Sequence, residues 1–217
     1  MFLDTAHVSD IREALKTPVF KGVTTNPTIL LKEGKIREEQ IEEILSAGVK
    51  ILYVQLLGST EEELYEDYRK LSALETEAEI RYKISMDFAG LCAVKRIKAE
   101  NQEANILGTA IYSADQAILA AIAGCDSVAP YVNRMQNNGI DPFDAIRRMR
   151  NFFEERELST EIVAASFKNT QQILDALDHG AHTATIPYDL FQAMIGKDLA
   201  AQAIAVFNQH GKDLEEK

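Results

Sequence analysis

Tryptophan is absent from this 217-residue chain, cysteine occurs twice, and basic residues are outnumbered by acidic ones, 23 to 34. Two isolated cysteines, Cys92 and Cys125, can build neither a disulfide framework nor a thiolate metal cluster; they suit a reducing compartment and are expected to be buried apolar residues. The net charge of -11 creates a field that repels nucleic acid and anionic membranes, so neither is an expected partner. An anionic small substrate would need a local basic pocket. The most apolar stretch, "AILAAIAGC", is too short to cross a bilayer. "MFLDTAHVSD" at the start lacks the basic and apolar regions of a secretion signal, and the expected location is cytoplasmic.

Sequence motifs for several chemistries are missing as well. There is no G-x-S-x-G elbow, no Walker loop and no G-x-G-x-x-G fingerprint, and His7, His179, His182 and His210 lack H-E-x-x-H spacing. The expectation is an activity with no metal and no cofactor. His179 and His182 fall at a helix end and a strand start and are read as structural.

Present instead is an alternation of short β-branched runs with longer segments of helical period, the pattern of βαβ units. The strand candidates are "FLDT", "VFKGVTT", "VKILYVQLL", "EIRYKIS", "ANILGTAIY", "SVAPYV", "EIVAASF" and "HTATIP", eight in all. Between them, Ser59 with Glu62 reads as a capping box, Asp141-Pro142 as a helix start, and Asn169 as a cap for a helix burying Ile173, Ala176 and Leu177 and ending at Gly180. Hydrophobic residues are 46% of the chain and charged ones 26%, an ordinary globular balance. The expected fold is α/β, a single (β/α)8 TIM barrel over residues 1–217 with an additional C-terminal helix. That extension, 196–217, has no strand to cover, and its Leu199, Ile204 and Phe207 are expected to meet a neighbouring subunit.

In such a barrel the functional residues lie at the C-terminal ends of the strands. The polar residues there are Asp4, Thr24, Asn26, Gln55, Lys83, Thr109, Tyr131, Arg134, Ser166 and Lys168. Lys21 and Lys50 begin strands and fall on the opposite rim. Lys168 precedes a helix cap, which suits a solvated or phosphate-facing loop. Lys83 has strand residues on both sides: with Ile80, Tyr82 and Ile84 on one face, Arg81, Lys83 and Ser85 share the other. A strand-edge lysine with its head in solvent is the ordinary alternative. Held inside the barrel, an amine loses its proton more readily and can attack a carbonyl to form a Schiff base. Asp4 also reads as the acid opening the first helix, "TTNP" as a turn, and Arg81 as either tuning the amine or pairing below it.

Taken in order, "LDT", "GVTTNPT", "VQLL", "YKIS", "LGTAIY", "APYVNR" and "AASFKNTQQ" resemble the small transaldolase family, specifically its fructose-6-phosphate aldolase branch of class I aldolases. The resemblance implies that Lys83 is the Schiff-base lysine on strand four and that Asp4 and Asn26 contact the donor hydroxyls. It further implies that Thr24, Gln55, Thr109 and Tyr131 hold or use the catalytic water, Tyr131 as the proton-transfer residue, and that Arg134 and the Ser166 region receive the substrate phosphate. Transaldolases resemble one another in a glutamate at the position of Gln55 and a phenylalanine at that of Tyr131, so both positions here side with the aldolase. The expected reaction is reversible cleavage of fructose 6-phosphate, or a close ketose, to dihydroxyacetone and glyceraldehyde 3-phosphate. Transaldolase is the alternative, and a barrel that binds sugar phosphates without turnover is a third. The family also implies a pentamer or decamer. Relatives follow the lysine with a hydrophobic residue, a proline and a threonine; Ile84-Ser85-Met86-Asp87 departs from this, as does Arg81 where relatives are apolar.

Overall fold

The computed structural model describes residues 1–215. Eight strands run in sequence: β1 Phe2–Asp4, β2 Gly22–Thr24, β3 Ile51–Gln55, β4 Glu79–Ser85, β5 Ile106–Ile111, β6 Ser127–Pro130, β7 Glu161–Ala164 and β8 Thr183–Ile186. Each pairs in parallel with the next and β8 pairs with β1, which closes a barrel in sequence order. The helices are α1 Val8–Ala14, α2 Pro27–Lys32, α3 Arg37–Ser46, α4 Glu61–Ser72, α5 Phe88–Glu100, α6 Ala114–Ile122, α7 Val132–Asn137, α8 Pro142–Glu155, α9 Thr170–Asp178, α10 Tyr188–Ile195 and α11 Asp198–Glu215.

Alternation sorts the strand residues into two cores. Outward-facing Leu3, Val23, Leu52, Val54, Ile84, Ile106 and Val128 pack beneath the helices. Inward, Phe2, Tyr53, Leu107 and Val163, one from each odd-numbered strand, form an apolar layer across the barrel, with Phe2 and Tyr53 meeting edge to face at 5.2 Å. Four side chains from alternate strands per layer is the packing rule of this fold. The even strands supply the layer above it, Thr24, Lys83, Ala129 and Thr185, and here the barrel interior turns polar.

Several helix starts follow from single residues. Asn26 caps α2 by accepting from the Ile29 amide, Asp141 caps α8 with Pro142 behind it, and Asn169 caps α9. The α4 capping box lies one residue later than expected: Thr60 is the cap and Glu63 its partner, while Ser59 adds two further donors to the Glu63 carboxylate. α1 opens at Val8, so Asp4 is a strand residue and caps nothing. Cys125 is buried, but Cys92 on α5 is only partly so, because it sits at the edge of the face that packs on the sheet. Leu177 likewise is half-buried, while Ile173 and Ala176 are fully covered.

α11 buries none of its described residues; Leu199 is 81% exposed and Phe207 69%. Among the described residues no single helix is long and apolar enough to cross a membrane; α10 and α11 reach that length only as a pair bent by 55°.

Candidate active site

Lys83, near the C-terminal end of β4, points inward and is 5% exposed. Its Nζ donates to the Thr25 carbonyl at 2.7 Å, and no carboxylate among the described residues lies within ion-pair distance of it. Burial holds its pKa below the ordinary lysine value, partly opposed by the negative charge of Asp4. A buried amine without a salt bridge gains little from keeping its proton. Arg81, on the same face and two residues below, is engaged elsewhere. Its guanidinium binds Glu79 and donates to the Tyr53 hydroxyl at 2.9 Å, so it pairs beneath the amine.

Asp4 ends β1 opposite Thr24. Burial raises its pKa, opposed by Lys83, by the Thr24 hydrogen bond and by Arg134. Thr24 Oγ1 donates to Asp4 Oδ1 at 2.8 Å and lies 2.6 Å from Thr185 Oγ1. Thr24 has one hydroxyl proton. With that proton directed at an ionised Asp4, Thr185 must be the donor to Thr24, and the three form a directed chain. The polarity of β8 was visible in "HTATIP", where Thr183 and Thr185 alternate with apolar residues, yet Thr185 was not among the residues singled out from sequence.

On the far wall, the Tyr131 hydroxyl meets Thr109 Oγ1 at 2.9 Å. Burial raises the tyrosine pKa, opposed by Thr109 and Arg134, so the phenol keeps its proton near neutrality. Thr109 shares the inward face of Leu107 by strand alternation, and a bulge follows it. Pairing with β6 shifts register between Gly108 and Ile111, and Ala110 at φ +56° is the extra residue. The extra residue leaves Thr109 facing the barrel and turns Ile111 out into the helix-facing core.

Arg134 on α7 lies over the Tyr131 ring, 4.9 Å from its centroid, and its Nη1 reaches the Tyr112 hydroxyl at 3.4 Å. Ser166 adopts φ +62°, a left-handed conformation costly for a serine. Its carbonyl accepts from the Asn133 amide at 2.7 Å. Buried Gln172 ties this region together, donating to Asn133 and Gln136 and accepting from the Lys168 amide.

One cavity of about 350 Å³ joins Asp4, Thr24, Asn26, Lys83, Tyr131, Arg134, Ser166 and Lys168, together with Thr185. Its volume falls in the range of small-molecule sites, roughly 300–1,000 Å³. Thr109 reaches it only through Tyr131. Gln55 does not line it; its amide donates weakly to Ser85 Oγ at 3.5 Å, and it borders a separate hollow beside α2 and α3. The departing residues after Lys83 have local partners: Met86 is buried beside Cys125, and Asp87 caps α5 through the Gly90 amide. Among the described residues there is no cluster of three or more His, Cys, Asp or Glu that could hold a metal.

The desolvated amine near the C-terminal end of β4 and the cations Arg134 and Lys168 thus share one cavity of a closed (β/α)8 barrel, at the face where enzymes of this fold carry their active sites. The sequence model of transaldolase/fructose-6-phosphate aldolase matches residues 1–217, and the chain belongs to that family of aldolase-type enzymes. A relative from Oceanobacillus iheyensis, named a probable transaldolase, is 34% identical over 95% of both chains. Another of that name from Clostridium acetobutylicum is 33% identical over 98% of this chain and 97% of its own. A Clostridium botulinum relative, also so named, is 37% identical over 89% and 88%. Among solved structures, a mutant flavocytochrome b2 with benzoylformate superposes with a TM-score of 0.59 at 13% identity, covering 87% of this chain and 56% of its own; that likeness is one of fold alone.

Proposed function

We propose that the chain is a cofactor-free class I aldolase that reversibly cleaves fructose 6-phosphate, or a close ketose, to dihydroxyacetone and glyceraldehyde 3-phosphate. The observation that carries this reading is the Lys83 amine, buried, without a salt bridge, and open to the cavity. Neutral Lys83 adds through Nζ to the ketose C2 carbonyl, and the carbinolamine loses water to give a protonated imine. The C4 hydroxyl gives up its proton through Tyr131 and a water held near Thr109 and Gln55. The C3–C4 bond then breaks, its electron pair passes to the imine as an enamine, and the aldehyde leaves. Protonation of C3 and addition of water to the imine release dihydroxyacetone and restore the amine.

Asp4 and Asn26 orient the donor hydroxyls, Thr24 fixes Asp4, and Arg134 with Ser166 takes the phosphate. Transaldolase is the second reading, favoured by the printed name of the relatives; it would pass the dihydroxyacetone unit to an aldose phosphate. Gln55 and Tyr131 support the aldolase over it. A cytoplasmic homo-oligomer, a pentamer or decamer joined through α11, belongs to the same proposal, supported by the uncovered apolar side chains of that helix. A monomer by light scattering refutes that part.

Borohydride reduction with dihydroxyacetone tests the chemistry: the expected result is a single adduct, mapped to Lys83, and its absence sinks the proposal. Free dihydroxyacetone from fructose 6-phosphate alone supports the aldolase. Turnover only with added erythrose 4-phosphate identifies a transaldolase, and tight binding with no turnover a non-catalytic barrel.

A further inference from the structure

We infer that Arg37 and Asp67 are positioning residues that set the place of Gln55; the inference rests on the functional reading above. The two come from different helices, α3 and α4, and meet in an ion pair at 2.8 Å whose side chains are only 14% and 12% exposed. Neither faces the main cavity. Both instead grip the backbone around Gln55. Arg37 Nη2 donates to the Gln55 carbonyl at 2.7 Å, and Asp67 Oδ2 accepts from the Leu57 amide at 2.8 Å.

Each partner therefore uses one polar atom on the other and a second on the chain just past β3. The planar guanidinium fork suits this double duty, since its geometry fixes carboxylate and carbonyl together, which an ammonium on a flexible stem does not. Between the two anchors, the Leu56 amide donates to the Lys83 carbonyl at 2.8 Å. Three successive points thus bind residues 55 to 57 to α3, β4 and α4.

The need for such a grip is visible beside Gln55. A hollow of about 180 Å³, lined by Pro27, Leu30, Leu31 and Leu57 together with Arg37 itself, lies against it, and the only hydrogen bond of its side-chain amide among the described residues is the 3.5 Å approach to Ser85. A strand end with open space beside it and one weak side-chain contact has room to drift, and a shift of the order of 1 Å in a water-positioning group is enough to cost about 100-fold in rate. The ion pair supplies from outside the barrel the rigidity that the interior does not.

The test uses the full-length protein with Arg37→Lys and the double variant Arg37→Met/Asp67→Leu, which replaces the buried pair by apolar side chains of similar size so that no charge is left unpaired. The expected result is a tenfold or greater fall in kcat for fructose 6-phosphate, KM within about twofold, and an unchanged Lys83–dihydroxyacetone adduct after borohydride. In a Gln55→Ala background the same substitutions should cost nothing further, because the residues act as one unit. Unchanged kcat in both variants, a full additional loss in the Gln55→Ala background, or loss of the adduct from both variants overturns the inference. Failure of the unmodified enzyme to form the adduct overturns the functional reading and this role with it; an adduct with unchanged variant kcat overturns the role alone.

Discussion

The Tyr131 hydroxyl and Thr109 Oγ1 lie 2.9 Å apart, bridging the ends of β6 and β5. The pair lets a protonated phenol exchange its proton with a hydroxyl that β5, paired with β4 at Ser85, holds toward the barrel. Tyr131→Phe removes the exchangeable proton and keeps the ring edge to face with Tyr112. The expected outcome is a loss of roughly 10²–10⁴ in the rate of dihydroxyacetone release with the Lys83 adduct still formed. Release assays with and without an acceptor aldehyde, beside intact mass, check it.

Asp4 gives a pH-dependent prediction. Its folded pKa is raised, chiefly by burial, so its contribution to stability is present below the ordinary value of 3.8 and lost as pH rises through the folded one. At neutral pH the charged carboxylate therefore weakens the fold, and Asp4→Asn should raise Tm by roughly 2–4 °C for each kcal/mol regained. The gap should close below about pH 3.8. The same substitution removes the charge that lifts the Lys83 pKa, so trapping of the Schiff base should begin at lower pH. Calorimetry across pH and cyanoborohydride trapping read the two effects.

Thr185→Val deletes the donor at the head of the Thr185–Thr24–Asp4 chain while keeping the shape of the side chain. A hydrogen bond of this kind is worth about 1 kcal/mol, so kcat/KM should fall roughly fivefold, and Thr185→Ser should restore it. Equal activity in Thr185→Val and Thr185→Ser would show that the chain has no part in holding Asp4.

Gly90 brings the first turn of α5 against the end of β4, where an added Cβ would sit 1.9 Å from the Ser85 carbonyl oxygen. Gly90→Ala should destabilise by about 1–3 kcal/mol or more, as read by urea denaturation. It should also weaken catalysis, since the displaced segment begins two residues beyond Lys83.

That Lys83, Asp4, Thr24 and Tyr131 line one cavity was legible in the sequence, because strand alternation and the position of strand ends are local statements about one strand at a time. The sequence carried the β5 bulge poorly. "ILGTAI" alternates without interruption, which predicts Ile111 inside with Thr109, whereas the extra residue Ala110 sends Ile111 outward. "VFKGVTT" similarly reads as one long strand, yet only Gly22–Thr24 pair, with the preceding residues spent in the turn that enters the barrel. Arg37 and Asp67 were illegible for another reason. Each sits in an acidic helix rich in solvated charge, and nothing local marks the one arginine and the one aspartate that the barrel brings together at the end of β3.

The apolar layer of Phe2, Tyr53, Leu107 and Val163, each 3% exposed or less, makes the barrel a room with one door. Whatever reaches Lys83 comes in past Arg134 and Ser166 and has to go out the same way. In the proposed reaction this dictates the order of departure. The phosphorylated fragment, nearer the exit and no longer bonded, leaves first, and the three-carbon fragment tethered to the amine behind it leaves last. Product inhibition should carry that signature, with dihydroxyacetone competing against the ketose for the free enzyme.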